Sequence, residues 1–273
     1  MDKLLFGISG LPIGPEGSKF KYSTGIEYLS NFGLDAMELP FVRSVNVTKK
    51  NHEEILQKKE ENNFYISAHG SYYINLNAKE DEKKEKSLER IIKGAEGLSL
   101  VNGKSLVFHP GFYLGMDPDK TYNEIKSNLE KLPYIGVDYR LETTGKGTQF
   151  GSLQEIVQLS KDVESCKPCI DFAHIHARNN GCLKEYDDFK RIFNYIGTEL
   201  GNDALNDIHI HVAGINYGPK GEKNHLPFKE SDFKYELFVK ALIEYNVKGC
   251  IICESPILEH DAILLKKLYE NSL

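Results

Sequence analysis

The chain has 273 residues, enough for one large α/β barrel or two smaller domains, and in either case for a substantial buried core. Its composition is that of an ordinary soluble globular protein, and its net charge of −6 lacks the basic excess that usually marks a nucleic-acid-binding face. That exclusion weakens if the chain holds several divalent cations, because bound ions are often the largest local charges. No stretch is apolar for long enough to cross a membrane, and the opening MDKLLFGISGLPIG lacks a signal-peptide core and cleavage site. The expectation is a cytoplasmic, monomeric enzyme.

Along the chain, short apolar and often β-branched runs predict strands at 4–9, 36–41, 64–69, 105–109, 137–143, 168–173, 207–213 and 249–254. Helix-like segments lie between them, at about 24–31, 49–62, 79–101, 118–131, 152–162, 186–198, 231–245 and 259–269. Ser152 and Ser231 read as N-caps, and Asp117-Pro118 places a proline at a helix start. The dense charges between Lys79 and Lys93 read as a solvated helix face. Eight strands alternating with eight helices is the arithmetic of a TIM (β/α)8 barrel. With no linker or low-complexity tract, residues 1–273 read as a single domain.

The five cysteines include two C-x-x-C pairs, Cys166/Cys169 and Cys250/Cys253, with Cys182 left over. A zinc-ribbon or redox reading fails because residues three apart in a strand point to opposite faces. An odd count in a cytosolic chain also argues against a disulfide framework, so the cysteines read as small core residues.

The informative pattern is where the histidines and acids fall. His69, His109, Glu142, Asp171, His174, His211 and Glu254 each sit at or just beyond the C-terminal end of a predicted strand. That is the face on which this fold builds its sites. A carboxylate closing the run YRLE is buried in the barrel mouth and needs a cation or a shifted pKa. Asp171 and His174 form a D-x-x-H pair. His209 and His211 share one strand face, His211 nearer the mouth and His209 behind it. Imidazoles and carboxylates without a cysteine at the pocket suit zinc or manganese in an open hydrolytic site. Seven ligands exceed the needs of one tetrahedral ion, so a carboxylate bridging two ions about 3.5–4 Å apart is the economical arrangement.

The motifs HGSYYINL, VFHPG, LETTGKG, CIDFAH, HV before a glycine-rich loop, and CESP occur in an order that resembles the endonuclease IV family. The resemblance covers the third to eighth predicted strands. It implies a TIM barrel in the xylose-isomerase-like superfamily that repairs DNA by hydrolysing the phosphodiester 5′ to an abasic site through a metal-bound hydroxide. A trinuclear zinc cluster is implied. His69 and His109 would hold one zinc, with Glu142 bridging to a second completed by Asp171, His211 and Glu254; Glu142 and Glu254 stand as the catalytic acids. His174 would belong to a third zinc, whose other family ligands form an Asp-x-His pair after the seventh strand. Here that loop reads YGPKGEKNHLPF: His225 supplies the histidine, Lys223 stands where the aspartate is expected, and Glu222 is the alternative at a different spacing. For damaged double-stranded DNA as partner, Tyr72 matches an aromatic that enters the duplex, and Arg43, Lys146, Lys220 and Lys223 are candidate contacts.

Two other readings compete with this one. A xylose-isomerase-like sugar isomerase or epimerase shares part of the ligand pattern but has no use for so many histidines. A non-catalytic barrel with an incomplete cluster would fit the departure in the 217–228 loop.

Overall fold

The computed structural model describes residues 2–273. Eight strands form a closed, wholly parallel barrel: β1 Leu4–Ser9, β2 Ala36–Pro40, β3 Tyr65–His69, β4 Ser105–Phe108, β5 Asp138–Glu142, β6 Cys166–Asp171, β7 Ile208–Val212 and β8 Gly249–Cys253. Each pairs with its neighbours in the sequence, and β8 closes onto β1 through the register Leu4↔Gly249 to Ile8↔Cys253. The helices α1 Tyr22–Phe32, α2 His52–Glu61, α3 Asp81–Ser99, α4 Pro118–Leu129, α5 Leu153–Asp162, α6 Phe172–Arg178, α7 Tyr186–Leu200, α8 Asn202–Leu205, α9 Tyr235–Glu244 and α10 Glu259–Glu270 complete the βα repeats. This is the TIM barrel that the strand count predicts. Among the described residues, no helix is long and apolar enough to cross a membrane.

The start signals work through their side chains. Ser152 caps α5 by accepting from Glu155 N while Glu155 accepts from Ser152 N, a capping box. Asp117 accepts from Asp119 and Lys120 at the head of α4, with Pro118 in the first turn. Ser231 does otherwise. It donates to Ile215 O and accepts from Ile215 N, so it ties down the β7–α9 connection, and α9 starts only at Tyr235. The sequence also conceals α6. The apolar run CIDFAHIHA passes from strand to helix without punctuation, and Asp171 is both the last residue of β6 and the N-cap of α6, accepting from His174 N at 2.7 Å.

Two cores divide the work. The large apolar core lies outside the barrel, where outward strand residues such as Ile66, Leu106, Ile170 and Ile210 pack on Ile26, Ile91, Leu159, Phe193 and Phe238 of the helices. Cys166, Cys169, Cys250 and Cys253 are buried and all five cysteines are free. The apolar cluster inside the barrel is small: Ala36, Tyr65, Cys250 and Ile252. Apart from Val107 and Cys169, the rest of the interior is largely polar, unlike the Val/Ile/Leu layers that usually fill this fold. At the N-terminal mouth Arg140, 2% exposed, places Nη2 3.0 Å from Asp207 Oδ2 and Nε 3.2 Å from Ser105 Oγ. Lys167 also pairs with Asp207, at 2.8 Å.

Breaking a buried pair costs about 3–5 kcal/mol. Asp207 keeps Lys167, so Arg140→Ala is expected at the low end, a loss of about 3 kcal/mol in urea unfolding. Metal content should not change, because Arg140 lies at the barrel end opposite the acids and histidines; a variant as stable as the parent would refute this account of the interior.

Candidate metal centre

The period-two alternation of five strands aims ionisable side chains into the barrel at two levels. Register pairs Asp171 with His211, and one layer lower Cys169 with both Glu142 and His209. His69 ends β3, and His109 follows β4 at the rim; the turn expected at Pro110-Gly111 is instead the entry to a short strand, Gly111–Phe112, paired with Gln149–Phe150. Glu254 follows β8 and extends its ladder by donating its N–H to Val212 O.

Four histidines meet at one carboxylate. Glu142 is 1% exposed. Its Oε2 lies 3.0 Å from His69 Nε2 and 3.4 Å from His109 Nε2, and its Oε1 lies 3.3 Å from both His174 Nδ1 and His211 Nδ1. Burial alone would push this carboxyl upward, but the imidazoles around it outweigh that and hold it well below the usual carboxylate range. The histidines divide in consequence. Burial opposes the charge of His69 and His174, yet Glu142 raises His69 to about 9, and Asp171 with Glu142 raises His174 to about 10. His109 is left neutral by burial, at about 4. Burial raises Asp171.

Three sets of donor atoms, each within 4.8 Å of one another, surround this point: His69, His109 and Glu142; Glu142, Asp171, His211 and Glu254; and Asp171, His174 and His225. Glu142 belongs to two sets and Asp171 to two. Several donor atoms are buried with no hydrogen-bond partner, namely Asp171 Oδ2, His109 Nδ1 and His225 Nε2. Buried lone pairs without a donor are costly, and a set of imidazole and carboxylate donors at this spacing fits divalent cations. A fourth set, Cys169, His209 and His211, lies one layer deeper, so a cysteine does stand beneath the pocket.

The 217–228 loop is a β-hairpin, Gly214–Gly218 against Gly221–Leu226, with a bulge at Asn216/Tyr217. It brings His225 Nδ1 to 3.1 Å from the Glu254 carbonyl oxygen and Glu222 Oε2 to 3.5 Å from His174 Nε2. Glu222 thus pairs with His174 without joining the third donor set, while Lys223 is exposed. Gly145, in the LETTGKG motif, is required by this approach: a Cβ there would stand 2.6 Å from Glu222 Oε2.

Around the rim, Tyr72 and Tyr73 are 66% and 65% exposed. Tyr72 sits beside His69, ring centroids 5.9 Å apart. Arg43, Arg90 and Lys93 line the adjoining cleft with Tyr73, and Arg90 lies 5.8 Å over the Tyr73 ring. Lys220 is exposed and Lys146 half-buried on the opposite side. The sequence reading missed Glu38, fully buried on β2; its signal was a single charge inside the apolar run AMELP.

A protein of Methanocaldococcus jannaschii described as uncharacterized is 45% identical over 274 residues, spanning 98% of this chain and 97% of that one. A probable endonuclease 4 of Mycoplasma genitalium is 26% identical, over 74% of this chain and 71% of its own length. Among solved structures, endonuclease IV from Thermus thermophilus superposes with a TM-score of 0.73 at 18% identity, covering 98% of each chain. A D-tagatose 3-epimerase-like protein superposes equally well, with a TM-score of 0.74 at 18% identity, covering 98% of this chain and 96% of that one. Identities this low establish a shared fold only. The family model described as xylose isomerase-like TIM barrel matches residues 26–268, and with the closed barrel and its ligand-bearing mouth this chain belongs to that family.

Proposed function

We propose that the chain is a divalent-metal-dependent phosphodiesterase that incises damaged double-stranded DNA at abasic sites, a reading supported by its similarity to proteins named probable endonuclease 4. The observation that carries this reading is Glu142, whose two oxygens face two histidine-bearing donor sets at once. His69, His109 and Glu142 would hold one zinc, and Glu142, Asp171, His211 and Glu254 a second; manganese fits the same donors. His174 and His225 would hold a third with Asp171, and Glu222 stands beside His174. Bound ions of this kind supply Lewis acidity, activating water near neutral pH and stabilising attacking and leaving oxygens of a phosphoryl displacement.

The protein's own groups do the rest. Arg43, Arg90 and Lys93 form a local cationic cleft in a chain of net charge −6, placed to hold phosphates beside the mouth. Tyr72 stands at the edge of the donor cluster with most of its ring in solvent, where it can stack on a base or fill the gap left by a displaced sugar. The half-buried Glu254 carboxylate faces both His211 and His225, linking the barrel to the hairpin.

A sugar epimerase is the second reading, favoured by one observation: Glu142, Asp171, His211 and Glu254 bring four donor atoms within 4.8 Å of one another, enough to hold a single ion. It leaves His69, His109 and His174 without a task. Turnover of small ketoses with manganese, and no nicking of DNA, would reverse the choice.

Fresh protein should contain at least two ions per chain by elemental analysis, and chelation should abolish nicking of an abasic duplex until zinc is restored. Fewer than two ions, or full loading without nicking, would refute the proposal. Glu142→Gln should lower both metal content and nicking, by more than about 100-fold in rate, since even outer partners of a metal ligand cost about 10–100-fold. Tyr72→Ala should keep its metal and lose about 1–3 kcal/mol of substrate binding, read as a raised KM, if the ring stacks on DNA. An unchanged KM would remove Tyr72 from the interface.

A further inference from the structure

Glu38 lies on β2, a strand that contributes nothing else to the mouth, and it is 0% exposed. An isolated carboxylate in the barrel interior would cost several kcal/mol (order of magnitude), so its partners define its task. Ser67 Oγ donates to Oε2 at 2.8 Å, and His209 Nε2 stands 3.0 Å from the same oxygen. Oε1 stands 3.0 Å from His211 Nε2 as an ion-pair contact, and among the described residues neither atom has a hydrogen-bond partner of regular geometry, so each is the other's polar neighbour. The far nitrogen of the same ring, Nδ1, points into the centre, 3.3 Å from Glu142 Oε1 and 3.7 Å from Glu254 Oε1. His211 is thus suspended between a carboxylate below and the proposed second metal set above.

We infer that Glu38 is the positioning residue for His211: its Oε1 keeps the proton on Nε2 by offering that N–H an acceptor, fixes the ring and leaves the Nδ1 lone pair for the ion that Glu142, Asp171 and Glu254 would hold. A neutral histidine has one donor and one acceptor nitrogen, so fixing the proton on one side determines which nitrogen can ligate. Carboxylate–histidine–metal arrangements of this type also raise ligand basicity. Ser67 and His209 hold the carboxylate from behind. His209 packs against His211 with ring centroids 5.4 Å apart, which restrains the ring from turning over. The sum is a polar column running down the barrel axis, Ser67 and His209 to Glu38 to His211 to the centre.

This rests on the metal reading above, and the two can fail separately. In zinc-loaded protein with nitrogen-15-labelled histidines, His211 should appear with Nε2 protonated and Nδ1 ligated. Glu38→Gln should fold with native circular dichroism yet bind one zinc about 10–100-fold more weakly in chelator competition. A merely structural role would lower the melting temperature and leave affinity and tautomer alone. If the wild type binds its ions but His211 ligates through Nε2, or Glu38→Gln binds zinc as the parent does, the inference is overturned and the metal reading stands. A thiolate-to-metal charge-transfer band in cobalt-loaded protein would overturn it too, since Cys169 would then be a ligand in the deeper layer. Should the wild type bind no ion, both readings fall together. The tautomer measurement needs no variant, so it decides even where Glu38→Gln does not fold.

Discussion

One buried carboxylate organises the mouth of this barrel. Glu142 lies within 3.0–3.4 Å of imidazole nitrogens on four different histidines, supplied from β3, the residue after β4, α6 and β7. Its charge cannot stay buried without compensation, and the compensation must come from groups that the fold brings there from far apart in sequence. Protonated imidazoles provide it in the metal-free chain, and ions would provide it in a loaded one. Either way the charge of Glu142 couples the ends of half the strands, so the positions of the remaining donors follow from it.

The barrel can house this chemistry because its stability is located elsewhere. Burial between the strands and the helical ring forms the main apolar core, leaving the interior free of the usual aliphatic layers. Arg140 and Asp207 neutralise the lower end, and Glu38 with His209 fills the middle. The interior is therefore a stack of paired charges from one mouth to the other. Neighbouring levels compensate most of one another's charge, and several atoms left without a partner, such as Asp171 Oδ2 and His109 Nδ1, gather at the mouth.

Much of this was legible because strand periodicity and strand ends leave marks in sequence. The apolar runs located the eight strands, and the acids and histidines at their ends converge as the alternation requires. What stayed hidden was hidden for physical reasons. The strand-to-helix switch at Asp171 is silent because CIDFAHIHA is apolar on both sides of it, and the capping role falls on a residue already assigned to the pocket. Ser231 resembles an N-cap, but its hydroxyl is used by Ile215 across a connection that sequence does not reveal. Glu38 escaped because a single charge in a short strand carries no periodic signal; only the closing of the barrel brings it beneath His211. The reach of Glu222 depends on a hairpin bulge and on the missing side chain at Gly145, neither of which spacing can report.

The hairpin carrying Glu222 and His225 has a consequence for how such barrels diversify. Its first strand packs on α6 and is tied to Ser231, whereas the second bonds to the first and meets the β5–α5 loop where Glu222 N donates to the Gly145 carbonyl. The exposed tip and second strand can therefore change while α6 and the eight staves of the barrel stay fixed. A lineage could exchange the ligands at one corner of the mouth, and with them the leaving group or the bulk of substrate admitted, by editing a dozen residues at the perimeter. The centre would keep its architecture while the lip of the vessel was recut.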